Sequence, residues 1–139
     1  MKDFFIDATE RTPAVRFRAE SCELSLEGES YPEDVAAFYG DVIPVLESWS
    51  ESDAERIHVL VRLIYINSSS MKALYRIFDI LDNGRELGKT VSIRWCYLVD
   101  DDVMQELGED FKDRFPDLDL FLEVVEFIQV RFFDFDLFL

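Results

Sequence analysis

At 139 residues the chain is one domain's worth, long enough to bury roughly two-thirds of the surface its unfolded form exposes, without disulfide or metal staples. Its 49% hydrophobic content excludes a disordered chain, and no apolar run reaches the ~20 residues of a membrane-spanning helix. Thirty acids against fourteen bases give a formal charge of -16, which repels nucleic acid and anionic lipid and steers the molecule toward basic partner surfaces.

The opening Met1-Lys2-Asp3-Phe4-Phe5-Ile6-Asp7 has acids within its apolar stretch and no secretory h-region, so a cytoplasmic protein is expected. Ala14 to Arg18 and Cys22 to Glu27 alternate apolar and polar residues around a polar Ala19-Glu20-Ser21 turn, the pattern of a hairpin that Gly28 closes. Ser30-Tyr31-Pro32-Glu33 has the spacing of a capping box with proline in the first helical turn. The helix it announces puts Val35, Phe38, Tyr39, Val42, Leu46 and Trp49 on one stripe, with a kink or break expected near Gly40 to Pro44 because proline removes a ladder bond.

Ile57 to Ile66 is apolar on both alternating faces apart from His58 and Arg62, as expected of a central strand covered on both sides. A helix follows with Met71, Leu74, Phe78 and Leu81 on one side, ended by Asn83-Gly84. Val91 to Val99 is the next strand, and strand, helix, strand implies a right-handed parallel crossover. Asp100, Asp101 and Asp102 suit the positive start of a third helix carrying Val103, Met104, Leu107 and Phe111, which Phe115-Pro116 stops. They lack the ligand spacing and glycine of a calcium loop. In Leu118 to Val130, Phe121, Val124, Val125 and Ile128 also fit helical spacing, but the β-branched and aromatic content favours a strand, which is the expectation. The chain then closes on the apolar stretch Phe132 to Leu139, broken only by Asp134 and Asp136. The sequence therefore divides into one domain over residues 1–131 and a tail over 132–139, with no internal repeat or linker.

Little here is equipped for catalysis. The single histidine, His58, shares a strand face with Arg62, which fits a structural hydrogen bond better than general-base work. No nucleophile elbow, Walker loop or dinucleotide glycine pattern occurs. Cys22 and Cys96 are isolated small residues in predicted strands, fitting neither a disulfide framework nor a metal site. No cofactor and no metal are implied, and the chain is read as non-enzymatic.

The most informative junction is Ile66-Asn67-Ser68-Ser69-Ser70-Met71-Lys72, where the apolar strand runs into a helix. A helix start presents unpaired N–H groups and a partial positive charge, so a phosphate there is stabilised. Local sequence alone favours the plainer use, a serine capping the helix, over a phosphorylation switch.

Several stretches tip that balance. Arg11-Thr12-Pro13-Ala14, Gly28-Glu29-Ser30-Tyr31-Pro32-Glu33, Arg62 through Ala73, Ile77-Phe78-Asp79-Ile80-Leu81 and Val91-Ser92-Ile93-Arg94-Trp95-Cys96-Tyr97 together resemble the SiaC family of small bacterial regulatory phosphoproteins, from about residue 11 to 115. The resemblance implies a fold similar to the STAS domains of anti-sigma-factor antagonists: an α/β protein with a mixed sheet, an N-terminal hairpin, central parallel strands and about three helices. It further implies a non-catalytic partner switch. In the family, a kinase with a histidine-kinase-like ATPase fold phosphorylates a hydroxyl at this turn and a metal-dependent serine/threonine phosphatase removes the phosphate. The unphosphorylated form activates a diguanylate cyclase, raising cyclic di-GMP and promoting biofilm.

The family's usual threonine acceptor is matched here by Ser68, with Ser69 and Ser70 as rivals and Asn67, Met71 and Lys72 completing the surroundings. The alternative reading keeps the fold and changes the output, to an anti-sigma-factor antagonist or a structural interaction module. The apolar tail exceeds what the family leads one to expect. It is expected to add an edge strand to its own sheet or to a neighbour's, and the two-chain homodimer is the favoured arrangement.

Overall fold

The computed structural model describes residues 1–128, so the predicted strand's last residues and the tail lie outside the described part. Nine elements follow one another: β1 (Phe4–Ile6), β2 (Ala14–Arg18), β3 (Glu23–Ser30), α1 (Val35–Glu51), β4 (Arg56–Ile66), α2 (Ser68–Glu86), β5 (Thr90–Leu98), α3 (Asp102–Arg114) and β6 (Asp119–Val125). The predicted α/β class holds, with a hairpin first and a β4-α2-β5 crossover at the centre. The six strands lie side by side in chain order. β1, β2 and β3 are antiparallel neighbours, and β3 to β6 are parallel.

That order decides where the helices go. Crossovers between adjacent parallel strands share one hand, so three successive ones place α1, α2 and α3 on the same side of the sheet. Ile57, Val59, Val61 and Leu63 of β4 are accordingly buried, whereas His58 is exposed and Leu60 and Arg62 are half-buried. The expectation of a strand covered on both sides is thus corrected. Its near-continuous apolar run records one packed face and a second face with only scattered apolar residues.

Beneath the helices lies a core of large side chains. Trp49, Trp95, Tyr39, Phe17, Phe78 and Phe111 are almost wholly buried, each worth about 1.5 to 3 kcal/mol relative to exposure. Phe111 sits among aromatic rings, stacked on Tyr75 at 4.4 Å and Trp95 at 5.3 Å between centroids. The stripe predicted for α1 holds: Tyr39, Val42, Leu46 and Trp49 are buried, with Val35 and Phe38 packed at the margin.

Other expectations need correction. Helix α1 starts at Val35 rather than after Ser30, because Asp34 is the cap and accepts from the Ala37 N–H at 3.0 Å. Ser30 still belongs to β3. The helix runs unbroken through Pro44, so the missing ladder bond is absorbed without a break. Gly28 does not close the hairpin, since β3 continues past it. With φ at +123°, a value L side chains rarely adopt, it marks a bulge where Gly28 pairs with Leu63 and Glu29 with Tyr65. Ile64 is the extra residue. Asn83-Gly84 does not end α2, which continues to Glu86, and Gly84 is needed for a different reason: a Cβ there would lie 2.5 Å from the Trp49 ring. Val103, expected on the packed stripe of α3, is exposed. The short strand β1 was not anticipated, because only three residues form it.

Candidate functional site

The bulge at Ile64 prepares the turn. By inserting one residue it reverses the alternation, so Tyr65 turns out to solvent and Ile66 turns into the core. Tyr65 meets Tyr31 edge to face at 5.7 Å. The chain is then held on both sides of the junction: the Asn67 N–H donates to the Ser30 carbonyl at 3.0 Å, and the Met71 N–H donates to the Asn67 carbonyl at 3.0 Å.

Asn67 is the helix cap. Its backbone is extended, and its side-chain oxygen accepts from the Ser70 N–H at 2.9 Å. The expectation that a serine caps this helix is therefore corrected, and an asparagine fits as well physically because it ranks with serine at this position. The consequence matters for function. The Ser68 and Ser69 hydroxyls are not engaged in holding the helix, and both residues are exposed on its first turn. An α-helix leaves its first N–H groups without intrahelical partners, and Asn67 answers only that of Ser70.

Ser70 is different. It is completely buried, and its hydroxyl has no hydrogen-bond partner among the described residues. It faces the pair formed by Ser30 Oγ and Tyr39 Oη, which share a buried hydrogen bond at 2.6 Å. Burial raises the Tyr39 phenol above its ordinary value of 10, an effect that the Ser30 and Ser70 hydroxyls partly offset. Three hydroxyls from β3, α1 and α2 thus meet beneath the turn. The sequence signal was slight, since Ser30 passed for a cap and Tyr39 for one more stripe residue.

The raised phenol keeps Tyr39 neutral in the fold while the unfolded chain ionises near pH 10, so its contribution to stability is present below pH 10 and is lost as pH rises toward the folded value. Denaturant midpoints measured upward from pH 9 should fall less steeply in Tyr39→Phe than in the parent. Equal slopes would show that another group governs the alkaline limb.

Around this centre, Met71 packs partly on the core, and Lys72 is exposed. Lys72 stands four residues after Ser68, so the two side chains are neighbours on the helix surface. No salt bridge engages Lys72 among the described residues. The site lies where β4 ends, at the carboxyl edge of the parallel strands, the usual place for function in open α/β sheets. His58, by contrast, is far along the strand and shares a 2.6 Å hydrogen bond with Ser92 Oγ, in keeping with a structural role. Cys96 and Cys22 are buried free thiols, and burial pushes the Cys96 thiol up despite the Arg62 guanidinium beside it.

Fold and turn together define an α/β protein that presents exposed hydroxyls on a capped helix start at the carboxyl edge of its parallel strands. The chain belongs to the SiaC family of regulatory phosphoproteins, whose family model matches residues 6–125. An uncharacterized protein of Pseudomonas aeruginosa (strain UCBPP-PA14) is 34% identical over 113 residues, covering 81% of this chain and 90% of that protein. Among solved structures, one described as the diguanylate cyclase SiaD in complex with its activator SiaC, from Pseudomonas aeruginosa, matches at a TM-score of 0.85 and 31% identity, covering 88% of this chain and 100% of the matched one. Apo-SiaC from the same organism matches at a TM-score of 0.78 and 33% identity, over 89% of this chain and 98% of that chain. Six strands and three helices are thus the architecture of SiaC. Among the described residues no helix is long and apolar enough to cross a membrane.

Proposed function

We propose that this chain is a non-catalytic regulator of a diguanylate cyclase, which binds and activates the enzyme while the Ser68 hydroxyl is free and lets go when that hydroxyl is phosphorylated. The observation that carries the reading is the likeness, at a TM-score of 0.85, to the structure of a cyclase with its activator. The opposing enzymes are a protein kinase with a histidine-kinase-like ATPase fold and a metal-dependent serine/threonine phosphatase. All act in the cytoplasm, on a domain spanning residues 1–131, and the output is cyclic di-GMP and biofilm.

The turn's geometry supports Ser68 as acceptor. A kinase must reach the hydroxyl, and Ser68 and Ser69 are exposed whereas Ser70 is sealed under the turn. A phosphate on Ser68 adds about -1.5 to -2 charges at the positive end of α2, with Lys72 one turn away, so the isolated domain tolerates it. A partner packed against a small neutral hydroxyl would not. Such a modification changes binding without unfolding anything.

Treatment with the cognate kinase and ATP, followed by peptide mass spectrometry, should place a single phosphate on Ser68, and the phosphorylated protein should no longer activate the cyclase. A phosphate on Ser69 alone would move the acceptor by one residue. Full activation by the stoichiometrically phosphorylated protein would overturn the switch.

A further inference from the structure

Tyr65, three residues before Ser68, is exposed for a reason that other exposed aromatics do not share. Its ring residue is 50% accessible, and Phe5 and Phe121 reach 55% and 56%. Ordinary strand alternation points those two onto the open face of the sheet, away from the helices. For Tyr65 the same alternation, after buried Ile57, Val59, Val61 and Leu63, would point into the core. The extra residue Ile64, opposite Gly28 with its φ of +123°, turns it outward instead. A bulge that re-aims a large ring into water beside a functional turn marks that ring as built for contact.

The ring does not stand alone. Tyr31, half-buried, packs edge to face on it with the ring planes 74° apart. The pair is tied into the backbone on both sides: the Tyr31 N–H donates to the Arg11 carbonyl at 2.7 Å, and Ser30, just before it, accepts from the Asn67 N–H. The exposed ion pair of Arg11 and Glu33 lies on one side of the tyrosines, and Ser68 follows Asn67 on the other. An aromatic centre on fixed backbone with a polar rim is the make-up of an interface hot spot, where tyrosine is enriched.

We infer that the Tyr31–Tyr65 pair is the anchor on which the diguanylate cyclase seats, with Ser68 at the margin of the contact. The inference rests on the proposed function and adds where the partner sits. Continuity selects the occupant, since a partner that responds to the Ser68 hydroxyl must cover its neighbours, and toward β3 and β4 those are the tyrosines. A kinase needs only a brief encounter with the hydroxyl, whereas an activator stays bound while its enzyme turns over. The lasting contact needs the desolvated anchor. The same arrangement explains release. A phosphate of about -1.5 to -2 charges keeps its water, and a hydrated group at the margin stops the partner from closing over the rings.

Calorimetric titration of the full-length chain against the purified cognate cyclase tests the anchor. Tyr65→Ala should bind at least tenfold more weakly, about 1.4 kcal/mol, with an unchanged melting temperature. Phe121→Ala should bind like the parent, because Phe121 pairs with Arg94 and Arg94 with Leu60, two strands away and five residues down β4 from Tyr65. The rate at which the cognate kinase modifies Ser68 should change by less than about threefold in Tyr65→Ala. In that background Ser68→Asp should weaken binding further by under about threefold instead of more than tenfold, since both changes damage one interface. Parent affinity in Tyr65→Ala, an equal loss in Phe121→Ala, fully additive losses, or a kinase rate that falls while cyclase binding holds would overturn the anchor and leave the Ser68 switch standing. A parent that binds no cyclase would overturn both. Hydroxyl-radical footprinting needs no substitution: the cyclase should shield Tyr65 and Tyr31 from oxidation and leave Phe121 as reactive as before. Tyrosines that stay reactive in the saturated complex would overturn the inference.

Discussion

Replacing Ser68 by aspartate is expected to weaken association with the cyclase by more than tenfold, about 1.4 kcal/mol, while leaving the domain folded. The prediction is sharp because the cap and the proposed acceptor are different residues. Asn67 Oδ1 holds the Ser70 N–H, so a change at Ser68 removes no helix-capping bond. An acid in the first turn should even favour the helix slightly, by about 0.3 to 1 kcal/mol. Any loss of binding therefore reports on the interface. Ser68→Ala should bind like the parent and resist the kinase, and Asn67→Ala supplies the opposite control, costing about 1 kcal/mol of stability through loss of the cap. Calorimetric titration against the cyclase together with thermal melts separates these effects. Wild-type affinity in Ser68→Asp, with wild-type activation, would end the case for this hydroxyl.

The elements that could be read from the sequence were those in which a local pattern and the tertiary structure demand the same thing. The hairpin, the helix after β4 and the stripe of α1 all have periodicities that their burial respects, and the length and apolar content of β4 marked it as a strand although not which of its faces is packed. Expectation failed where one residue type serves two purposes. Ser30-Tyr31-Pro32-Glu33 has the spacing of a helix start, yet Ser30 is claimed by β3 pairing and by Tyr39, and Asp34 caps instead. Gly84 has the composition of a helix end, yet its missing side chain makes room for an indole from another helix. Such a contact joins residues thirty-five positions apart and leaves no trace in local periodicity.

The candidate site was legible as a place but not as a mechanism of support. Three serines after a strand locate the turn, and a helix N-terminus explains why charge is tolerated there. What remained hidden was the division of labour: Asn67 capping, Ser68 and Ser69 exposed, Ser70 turned inward toward Tyr39 and Ser30. That division depends on the angle at which the helix leaves the sheet. The open face was hidden for a related reason. Leu60 and Ile64 make β4 look apolar throughout, and only the succession of parallel neighbours shows that all three helices crowd one side.

Gly84→Ala is expected to destabilise the domain by about 1 to 3 kcal/mol, the usual cost of overpacking a filled core, even though alanine is the better helix former by nearly 1 kcal/mol. The added methyl would lie 2.5 and 2.6 Å from the outer carbons of the Trp49 ring. Trp49 has little room to retreat, being wholly buried and tied by its Nε1–H to the Arg56 carbonyl at 3.0 Å. The clash therefore has one identifiable partner, and removing that partner should remove the penalty. Trp49→Phe will itself cost stability, through the lost hydrogen bond and the space left by the smaller ring. In that background, however, Gly84→Ala should be within about 1 kcal/mol of neutral, since the atoms it struck are gone. Urea unfolding of the four proteins gives the coupling directly. Strictly additive effects would mean that Gly84 is required by something other than the indole of α1, and that the α1·α2 contact is looser than the distances indicate.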